Sequence, residues 1–484
     1  MRIINRVIVS LVLLLGAGLQ GWSQTNNTLF FMNGVPQSNR INPARQPECG
    51  FYFGIPLLSP TTIHTSSSSL AFGDVIYPHP TEDSLITFLH PLGDQQAFLN
   101  KLKPLNLMLS DMGVSLISFG FRTGAGFFTL DVSSRVEGNI YFPGDLPRLV
   151  LEGADEGETY TMDGMGTDIT GFDEIAVGWS GAIGNRWQIG VRGKAYFGLA
   201  NLSTTHSEFS VTTSEEVWNI HSDMEFDASL PFADVIYNED GMIEDIIIDE
   251  ELRNMSPMAF ARQAFSSKNF GLGIDLGVDY RPSDQWLLSA SLLDLGYIRW
   301  TDEVHEVSFK TDYDYTGLEV NPLEFSGERT FSEYLDSSLT ALADTLAGEL
   351  EFTPGKIYSR RLSTKVFIGA SWYVTPNINF GLLSRTDFLK ETIIEEVTAS
   401  ANFAAGRVLN FTLSYSYING YLKNFGAGIS FNTGPVNLYV ISDNALNALF
   451  WPHEAKSANI WFGMNLVFGY QQFSKLDRDR PLVY

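Results

Sequence analysis

The sequence predicts an all-β protein, a single closed antiparallel up-and-down transmembrane β-barrel of about 14 strands (roughly 12–16), with a few short helices in its external loops. Three observations support this fold class. Apolar and polar residues alternate with a period of two in many segments of about ten residues. Short turns join most of these segments. The long connections all fall on one side when the strands are counted in order.

The clearest alternation runs through residues 270–280. Apolar or aromatic side chains occupy the even positions, and glycine or aspartate occupies the odd ones. Because successive side chains of a strand point to opposite faces, one face of this strand is wholly apolar. We expect that face to contact lipid and the small or acidic face to line a lumen. A soluble β-sandwich or propeller also alternates and is the alternative, although no blade-length repeat is visible.

The other alternating segments bring the number of candidate strands to about sixteen, each near the length that a tilted strand needs to cross a bilayer. They lie at 61–73, 113–122, 125–140, 173–183, 186–197, 201–213, 214–228, 285–300, 361–375, 377–387, 391–404, 407–418, 421–432, 436–442 and 458–469. If the barrel has 14 strands, we expect two of these sixteen segments to lie inside or outside the wall.

The connections predict the orientation of the barrel. Short turns rich in Gly, Asn, Asp and Pro are expected on the periplasmic side, at 184–186, 281–284, 375–377, 404–406 and 432–435. Long connections are expected on the external side, at 141–172, 229–267, 301–360 and 443–457. Leucines at helical spacing predict a short helix over 331–347 at the external mouth.

The N-terminus has the pattern of a secretory signal. Two arginines precede an apolar run at 8–15, and Gly21 and Ser23 are small residues positioned for cleavage before Gln24. A retained anchor helix is the alternative, but the run is short for a bilayer span. We expect a signal peptide over 1–23, an N-terminal segment or plug over 24–49, the barrel over 50–470 and a C-terminal tail over 471–484.

The composition of the chain restricts the classes of molecule that it could bind. The formal net charge of −25 argues against nucleic acid. Aromatic residues make up 13% of the chain, and aromatic rings collect at membrane interfaces. The lone cysteine, Cys49, predicts no intramolecular disulfide and is expected to be a small apolar filler. We therefore expect an outer-membrane location, with lipid and lipopolysaccharide as the surroundings of the barrel.

Four polar residues are predicted to face the lumen. Arg192 and Lys194 lie on one strand, and Asp275 and Asp279 lie on another. Mutual charge balance inside a packed or wet barrel is one interpretation, and a selectivity lining is the other. Four aromatic residues beside periplasmic turns predict an aromatic girdle: Trp187, Tyr280, Trp286 and Trp372.

The sequence carries no catalytic motif. It contains no HExxH, CxxC, Walker or GxSxG pattern, so we predict no enzyme activity, no catalytic residue, no cofactor and no metal site. Asp312 and Asp314 are weak candidates for a calcium ion, but a calcium loop needs more ligands, and a solvated acidic loop is the alternative.

Three segments resemble known families. The residues "NRINPARQPECGFYFGIPL" at 39–57 resemble the start of FadL- and PorV-type outer-membrane barrels of the Bacteroidetes. Residues 268–300 and 421–469 more closely resemble an uncharacterised family of such barrels, whose domain of unknown function covers almost the full mature chain. The resemblance implies one barrel and assigns no function, because no ligand-contacting residue of FadL can be matched to this chain.

Three functions are considered, and the first two follow from these resemblances. A FadL-like barrel would pass hydrophobic or small amphipathic ligands, and would have an N-terminal plug, a lateral gap or an apolar pocket near the mouth. A PorV-like barrel would be a non-catalytic scaffold or shuttle for secreted or surface proteins, through its external loops. An outer-membrane enzyme would need a Ser/His/acid set at the rim, and the sequence suggests none.

Overall fold

The computed structural model describes residues 27–81, 83–153, 157–214, 217–231, 233–237, 243–248, 265, 268–315, 350–406, 408–418, 421–445, 450 and 452–469. The predicted signal peptide, the predicted C-terminal tail and the helix predicted over 331–347 lie outside these residues.

The first half of the described chain contributes twelve strands. They are β1 (Phe51–Gly54), β2 (Thr61–Ser67), β3 (Ile76–Pro78), β4 (Leu85–Thr87), β5 (Leu105–Thr123), β6 (Gly126–Pro143), β7 (Thr159–Thr161), β8 (Gly166–Ile183), β9 (Trp187–Thr212), β10 (Trp218–Ser229), β11 (Ala233–Tyr237) and β12 (Ile243–Ile248).

The second half contributes twelve more strands. They are β13 (Phe270–Ser283), β14 (Trp286–Trp300), β15 (Val304–Tyr315), β16 (Leu350–Pro354), β17 (Tyr358–Arg361), β18 (Thr364–Thr375), β19 (Ile378–Phe388), β20 (Ile393–Ala405), β21 (Leu409–Ile418), β22 (Tyr421–Thr433), β23 (Val436–Ser442) and β24 (Ser457–Phe468).

The helices of the described residues are short. The α-helices are α1 (Phe72–Val75), α2 (Gln95–Leu99) and α3 (Asp145–Glu152), and the 3₁₀ helices are Leu29–Phe31, Pro36–Arg40 and Pro452–Glu454. None of the helices in the described ranges has the length and apolar character needed to cross a membrane.

The two ends of the barrel differ in their connections. The turns from β5 to β6, β8 to β9, β13 to β14, β18 to β19, β20 to β21 and β22 to β23 lie at one end, which we call the short-turn end. The connections from β2 to β5, β6 to β8, β9 to β13, β14 to β18 and β23 to β24 lie at the other, which we call the long-loop end. The predicted turns and long connections sort in this way, and α1, α2 and α3 lie at the long-loop end. The compartment that each end faces stays a prediction.

Fourteen strand positions close the barrel wall. β1 and β2 share one position, since both lie between β24 and β5, with β1 nearer the short-turn end. The other positions are held, in order, by β5, β6, β8, β9, β13, β14, β18, β19, β20, β21, β22, β23 and β24. All of these neighbours are antiparallel. The predicted closed antiparallel barrel is therefore confirmed.

Two of the predicted strands are not separate wall strands. Segment 201–213 continues β9, which has 26 residues, and segment 214–228 corresponds to β10, which leaves the wall. The connection predicted over 301–360 is also partly wrong, because it contains β15, β16 and β17. Alternation could not separate these cases, since a strand that continues beyond the bilayer keeps its period of two.

A second layer extends from the wall at the long-loop end. β7, residues 201–212 of β9, β10, β15 and β16 pair side by side and form what we call the outer sheet. Its apolar face packs against α3, in a cluster formed by Leu149, Met162, Val211 and Ile220. Its opposite face carries charged side chains, which include Asp223, Glu225 and Lys310.

The outside of the wall is apolar, as the alternation of residues 270–280 predicts. Leu272 and Leu276 on β13 are exposed, and Leu413 on β21 and Ile429 on β22 are exposed across the barrel. Asp275, on the opposite face of β13, is fully buried. A continuous apolar exterior with polar residues inside is typical of an outer-membrane barrel.

Candidate functional site in the barrel lumen

An N-terminal segment fills the lumen of the barrel. Residues 27–49, which we call the plug, cover the described part of the predicted segment 24–49. Asn27 Nδ2 donates to Glu396 Oε2 at 2.8 Å, towards the long-loop end of β20. Asn33 Nδ2 lies 3.5 Å from the Tyr373 hydroxyl, towards the short-turn end of β18. The chain therefore crosses much of the lumen between these two contacts, and it returns to the wall at β1.

The first part of the plug is apolar and packs against interior aromatic and aliphatic side chains. Phe30 is completely buried, and its ring stacks on that of Phe367 with the centroids 6.1 Å apart. The guanidinium carbon of Arg45 lies 4.0 Å from the centroid of the Phe30 ring, in a cation–π contact. The cluster around them contains Leu29, Phe31, Met32, Val35, Ile41, Leu293, Leu383, Tyr439, Ile441 and Trp461.

Glycines on the wall make room for these plug side chains. A Cβ atom added to Gly369 would lie 2.5 Å from Phe30 Cε1, which is closer than real Cβ contacts come. The same holds for Gly381 against Phe31. On β13, Gly277 faces Asn42 and its neighbours in the same way. The glycine-rich interior of these strands is therefore shaped to the plug rather than to open water.

Polar side chains hold the plug along its length. The Thr28 amide donates to Asp443 Oδ1 at 2.6 Å, and the Thr28 hydroxyl also binds that carboxylate. Gln37 Nε2 donates to Asn465 Oδ1 at 2.7 Å. Asn42 Nδ2 donates to Asp279 Oδ1 at 2.8 Å, so one of the four predicted lumen residues binds the plug.

The other three predicted lumen residues meet inside one group of buried charges. Lys194 Nζ lies 2.9 Å from Asp275 Oδ2, and Arg192 Nη1 lies 3.9 Å from the same oxygen. Lys194 also pairs with Asp294 at 2.5 Å. We call this group the ion cluster. Its further members are Asp111, Asp131, Arg135, Glu137, Glu174 and Lys365.

The sequence analysis missed several members of the ion cluster. Asp131 accepts from Arg40 of the plug at 2.7 Å and from Arg192 at 2.9 Å, so it joins the plug to the wall. The sequence of β6 contains a pattern that indicates these residues. Asp131, Arg135 and Glu137 occupy alternate positions of the strand and therefore fall on the same face. Extending the alternation of the predicted segment 125–140 to its polar positions would have identified them.

The interior has two chemically different halves. The ion cluster occupies the interior of β5, β6, β8, β9, β13, β14 and β18, which we call the ionic half. The interior of β20 to β24 is lined mainly by hydroxyl and amide side chains, and we call it the neutral half. Its buried members include Thr398, Ser400, Asn402, Thr412, Ser414, Ser416, Asn424, Ser430, Asn437, Asn459 and Asn465.

One position of the wall is interrupted. Between β1 and β2, residues 55–60 leave the strand, and Leu57 and Leu58 become exposed on the outside. We call these residues the wall break. The Leu57 amide donates to the Ser115 carbonyl at 2.8 Å, and the Ser115 amide donates to the Pro60 carbonyl at 3.0 Å. The wall therefore remains closed at this point, with fewer regular ladder bonds than elsewhere.

The plug contacts the wall break from inside. Gln37 Nε2 donates to Ser59 Oγ at 3.3 Å, and Arg40 Nη2 donates to Ser115 Oγ at 3.1 Å. Both plug residues belong to the 3₁₀ helix Pro36–Arg40. A single turn of the plug is thus bonded to the wall break itself and to the neighbouring strand β5.

The predicted girdle residues form two pairs beside short turns. The rings of Trp187 and Tyr280 stack with centroids 4.2 Å apart, and those of Trp286 and Trp372 lie 6.5 Å apart. The three tryptophans are exposed on the outside of the wall. Their location at a membrane interface stays a prediction.

Asp312 and Asp314 lie on β15 in the outer sheet rather than in a loop. Asp312 Oδ1 is 2.7 Å from His221 Nδ1, and Asp314 Oδ1 accepts from Asn219 Nδ2 at 3.1 Å. Within the described ranges, no group of three or more His, Cys, Asp or Glu residues is arranged to hold a metal ion.

Cys49 lies at the end of the plug, in an apolar cluster with Tyr52, Phe127 and Val467. Burial raises the pKa of its thiol to about 12. A thiol protonated at neutral pH is a poor nucleophile, so the packing agrees with a filler role.

The chain has low similarity to several solved structures. The chain is similar to the toluene transporter TbuX of Ralstonia pickettii, at 7% identity over 87% of this chain and 90% of that one, with a TM-score of 0.37. It is similar to a FadL homologue of Pseudomonas aeruginosa, at 8% identity over 93% and 100% of the two chains, with a TM-score of 0.37. It is also similar to the translocator domain of the autotransporter NalP from Neisseria meningitidis, at 7% identity over 93% of this chain and 99% of that one, with a TM-score of 0.31. No curated protein matches the sequence.

In the words of their own descriptions, the first is a toluene transporter, the second a FadL homologue and the third a translocator domain, and the likeness concerns the fold. The chain is similar to a FadL homologue, and the PorV resemblance and the Bacteroidetes origin stay predictions. A family model matches residues 43–443. Because it covers most of the chain, the protein belongs to the family of unknown function DUF5723.

Proposed function

We propose that this barrel passes hydrophobic or small amphipathic ligands across the outer membrane and that the plug closes the route. The observation that carries the proposal is the contact between the plug and the wall break. Gln37 and Arg40, one helical turn of the plug, bond to Ser59 and Ser115. A shift of that turn would release both sides of the weakest wall position together.

A sideways exit at the wall break suits an apolar ligand. The ion cluster crosses the ionic half of the lumen, and an apolar molecule gains nothing from displacing paired charges there. The exposed Leu57 and Leu58 continue the apolar exterior of the barrel at the wall break. A ligand leaving at this point would enter lipid directly, without crossing water.

Conductance in planar bilayers tests the plug as the closing element. The wild-type barrel should be nearly silent, because the plug fills the lumen. Arg40→Ala removes the bonds to Asp131 and Ser115 and should give frequent openings. Arg281→Ala removes an exposed arginine at the short-turn end that does not contact the wall break, and it is the matched control. A silent Arg40→Ala barrel that folds normally would count against this function.

The proposal includes an outer-membrane location after signal cleavage before Gln24, with lipid and lipopolysaccharide around the apolar exterior, and no catalytic step. Heat-modifiable migration on gels and membrane fractionation test the location. N-terminal sequencing of the purified protein tests the cleavage. A mature protein that stays soluble without detergent would contradict the proposal.

A second candidate function is a scaffold for secreted or surface proteins. The outer sheet favours it, because a folded layer with a charged, solvent-exposed face stands beyond the wall at the long-loop end. Lys310, Asp223 and Glu225 lie on that face. Cross-linking from Thr212→Cys, which is exposed on β9, would capture a protein partner under this function. Under ligand passage alone it would capture none.

A further inference from the structure

The first residues of the plug lie in a groove of the lumen that has two distinct ends. Residues 27–32, which we call the plug tip, are buried throughout. At the inner end, Leu29, Phe30, Phe31 and Met32 pack against the apolar cluster of the lumen. Small wall residues flank the tip, and a larger residue at Gly428 would require the Met32 side chain to move.

Carboxylates occupy the other end of the groove, nearer the long-loop end. Glu396 Oε2 accepts from Asn27 Nδ2 at 2.8 Å. Asp443 Oδ1 accepts from the Thr28 amide at 2.6 Å, and its Oδ2 accepts from Asn459 Nδ2 at 2.6 Å. The plug tip thus presents hydrogen-bond donors to two buried carboxylates and an apolar body to the aromatic cluster.

Among the described residues, the cation that contacts this end is Arg385, and it does not reverse the negative charge there. Arg385 donates from Nε and Nη2 to Asp387, at 2.8 and 2.5 Å, so its charge is already held by a carboxylate of its own strand. Its Nη1 lies 3.8 Å from Glu396 Oε2 and has no hydrogen-bond acceptor within the described residues. Three carboxylates and one guanidinium therefore surround the head of the groove.

We propose that this groove is a ligand site that the plug tip fills as an internal substitute. Its ligand is an amphipathic molecule with an apolar body and a donor head, an ammonium or an amide. An ammonium supplies three donors and a positive charge to Glu396 and Asp443. A carboxylate head would place like charges together in a site with little water. The site therefore discriminates against anionic amphiphiles of the same length.

This inference rests on the proposed function for the entry of the ligand, but binding can be measured without passage. The protein is reconstituted in nanodiscs of neutral lipid, and native mass spectrometry counts bound decylamine or decanoate. Phe30→Ala/Phe31→Ala loosens the plug tip and exposes the groove. We expect decylamine to bind at least tenfold more tightly than decanoate to this variant, with empty nanodiscs as the reference for partitioning.

Variants of Glu396 and Asp443 test whether these two carboxylates bind the amine. Glu396→Gln/Asp443→Asn, added to the loosened tip, should abolish the preference for the amine. Asp279→Asn removes a plug-binding carboxylate elsewhere in the lumen and should preserve it. Thr28→Val, which loses the hydroxyl bonds to Asp443 and Ser414, gives a milder opening if the double alanine variant does not fold.

The outcomes separate this inference from the proposed function. Equal binding of decylamine and decanoate, or a preference that survives Glu396→Gln/Asp443→Asn, would overturn the ligand site. Conductance of Arg40→Ala without any amine preference would support passage and reject the site. Amine binding that needs both carboxylates, in a barrel that never conducts, would support the site and reject passage.

Discussion

The two halves of the lumen are held together by different means. In the ionic half, side chains of separate wall strands bond directly to one another, as Lys194 of β9 does with Asp275 of β13 and Asp294 of β14. In the neutral half, hydroxyl and amide side chains bond most of the plug, as Ser414 and Asn465 do with Thr28 and Gln37. Glu396 and Asp443 bind the plug tip at the long-loop end of this half. One half is a fixed part of the wall, and the other depends on a removable occupant.

This difference indicates where the barrel is able to open. Buried ion pairs resist separation, because breaking one leaves an uncompensated charge in a medium of low polarity. Neutral hydrogen bonds exchange readily for bonds to water or to a ligand, at a small net cost. A route through the lumen therefore follows the neutral half once the plug moves, while the ionic half keeps the wall in shape.

The largest expected effect comes from breaking the ion cluster. Lys194→Met leaves Asp275 and Asp294 buried without their shared cation, and it should lower the free energy of unfolding by about 3–5 kcal/mol. Urea unfolding of the barrel in lipid vesicles, followed by heat-modifiable migration, measures the loss. Ser414→Ala in the neutral half removes one hydroxyl bond to Thr28 and should cost only about 1 kcal/mol. Equal losses would mean that the two halves do not differ as described.

A charge introduced on the outside of the wall should cost the same stability in both halves. Leu272 lies outside the ionic half and Leu413 outside the neutral half, and both are exposed to the membrane under our proposal. Leu272→Arg and Leu413→Arg should each cost about 2–4 kcal/mol, because each places a charge against hydrocarbon. The same unfolding assay compares them. A cost confined to one variant would show that the apolar exterior is not continuous.

The sequence was sufficient to predict which face of a regularly alternating strand such as β13 is inside. The period of two is local information, and it assigns Leu272 to the exterior and Asp275 to the lumen without knowledge of any other strand. The closed barrel follows from the same information, since antiparallel neighbours with apolar exteriors leave no stable open edge.

The sequence was not sufficient to predict which interior residues meet. Arg40 and Asp131 are 91 residues apart, and Asn27 and Glu396 are 369 apart. Such contacts depend on strand register, on the barrel diameter and on the path of the plug, and none of these is encoded locally. Trp461 illustrates the limit, because it breaks the apolar-outside pattern of its strand and instead packs inside with the plug.

Filling the space reserved for the plug should have an intermediate effect. Gly369→Ala places a methyl group 2.5 Å from Phe30 Cε1, and overpacking of this kind should cost about 1–3 kcal/mol. Gly193→Ala is the matched control, because its added Cβ meets nothing within 4 Å. The urea midpoint should fall for the first variant and stay unchanged for the second. A stable Gly369→Ala barrel would indicate that the plug tip shifts freely.

The smallest expected effect comes from an exposed counterpart of Lys194. Lys310 on the outer sheet also bonds two carboxylates, Glu225 at 2.6 Å and Asp223 at 3.1 Å, but it lies in solvent. Hydrogen bonds to these groups raise the pKa of Lys310. Any contribution of the charged Lys310 to the free energy of unfolding is therefore fully present at neutral pH. It is lost only as the pH rises above about 10.4, the ordinary pKa of lysine. Lys310→Met should leave the urea midpoint unchanged from pH 6 to 9, at low and high salt, because water and ions screen an exposed pair. A loss comparable to that of Lys194→Met would mean that burial is not what makes the ionic half rigid.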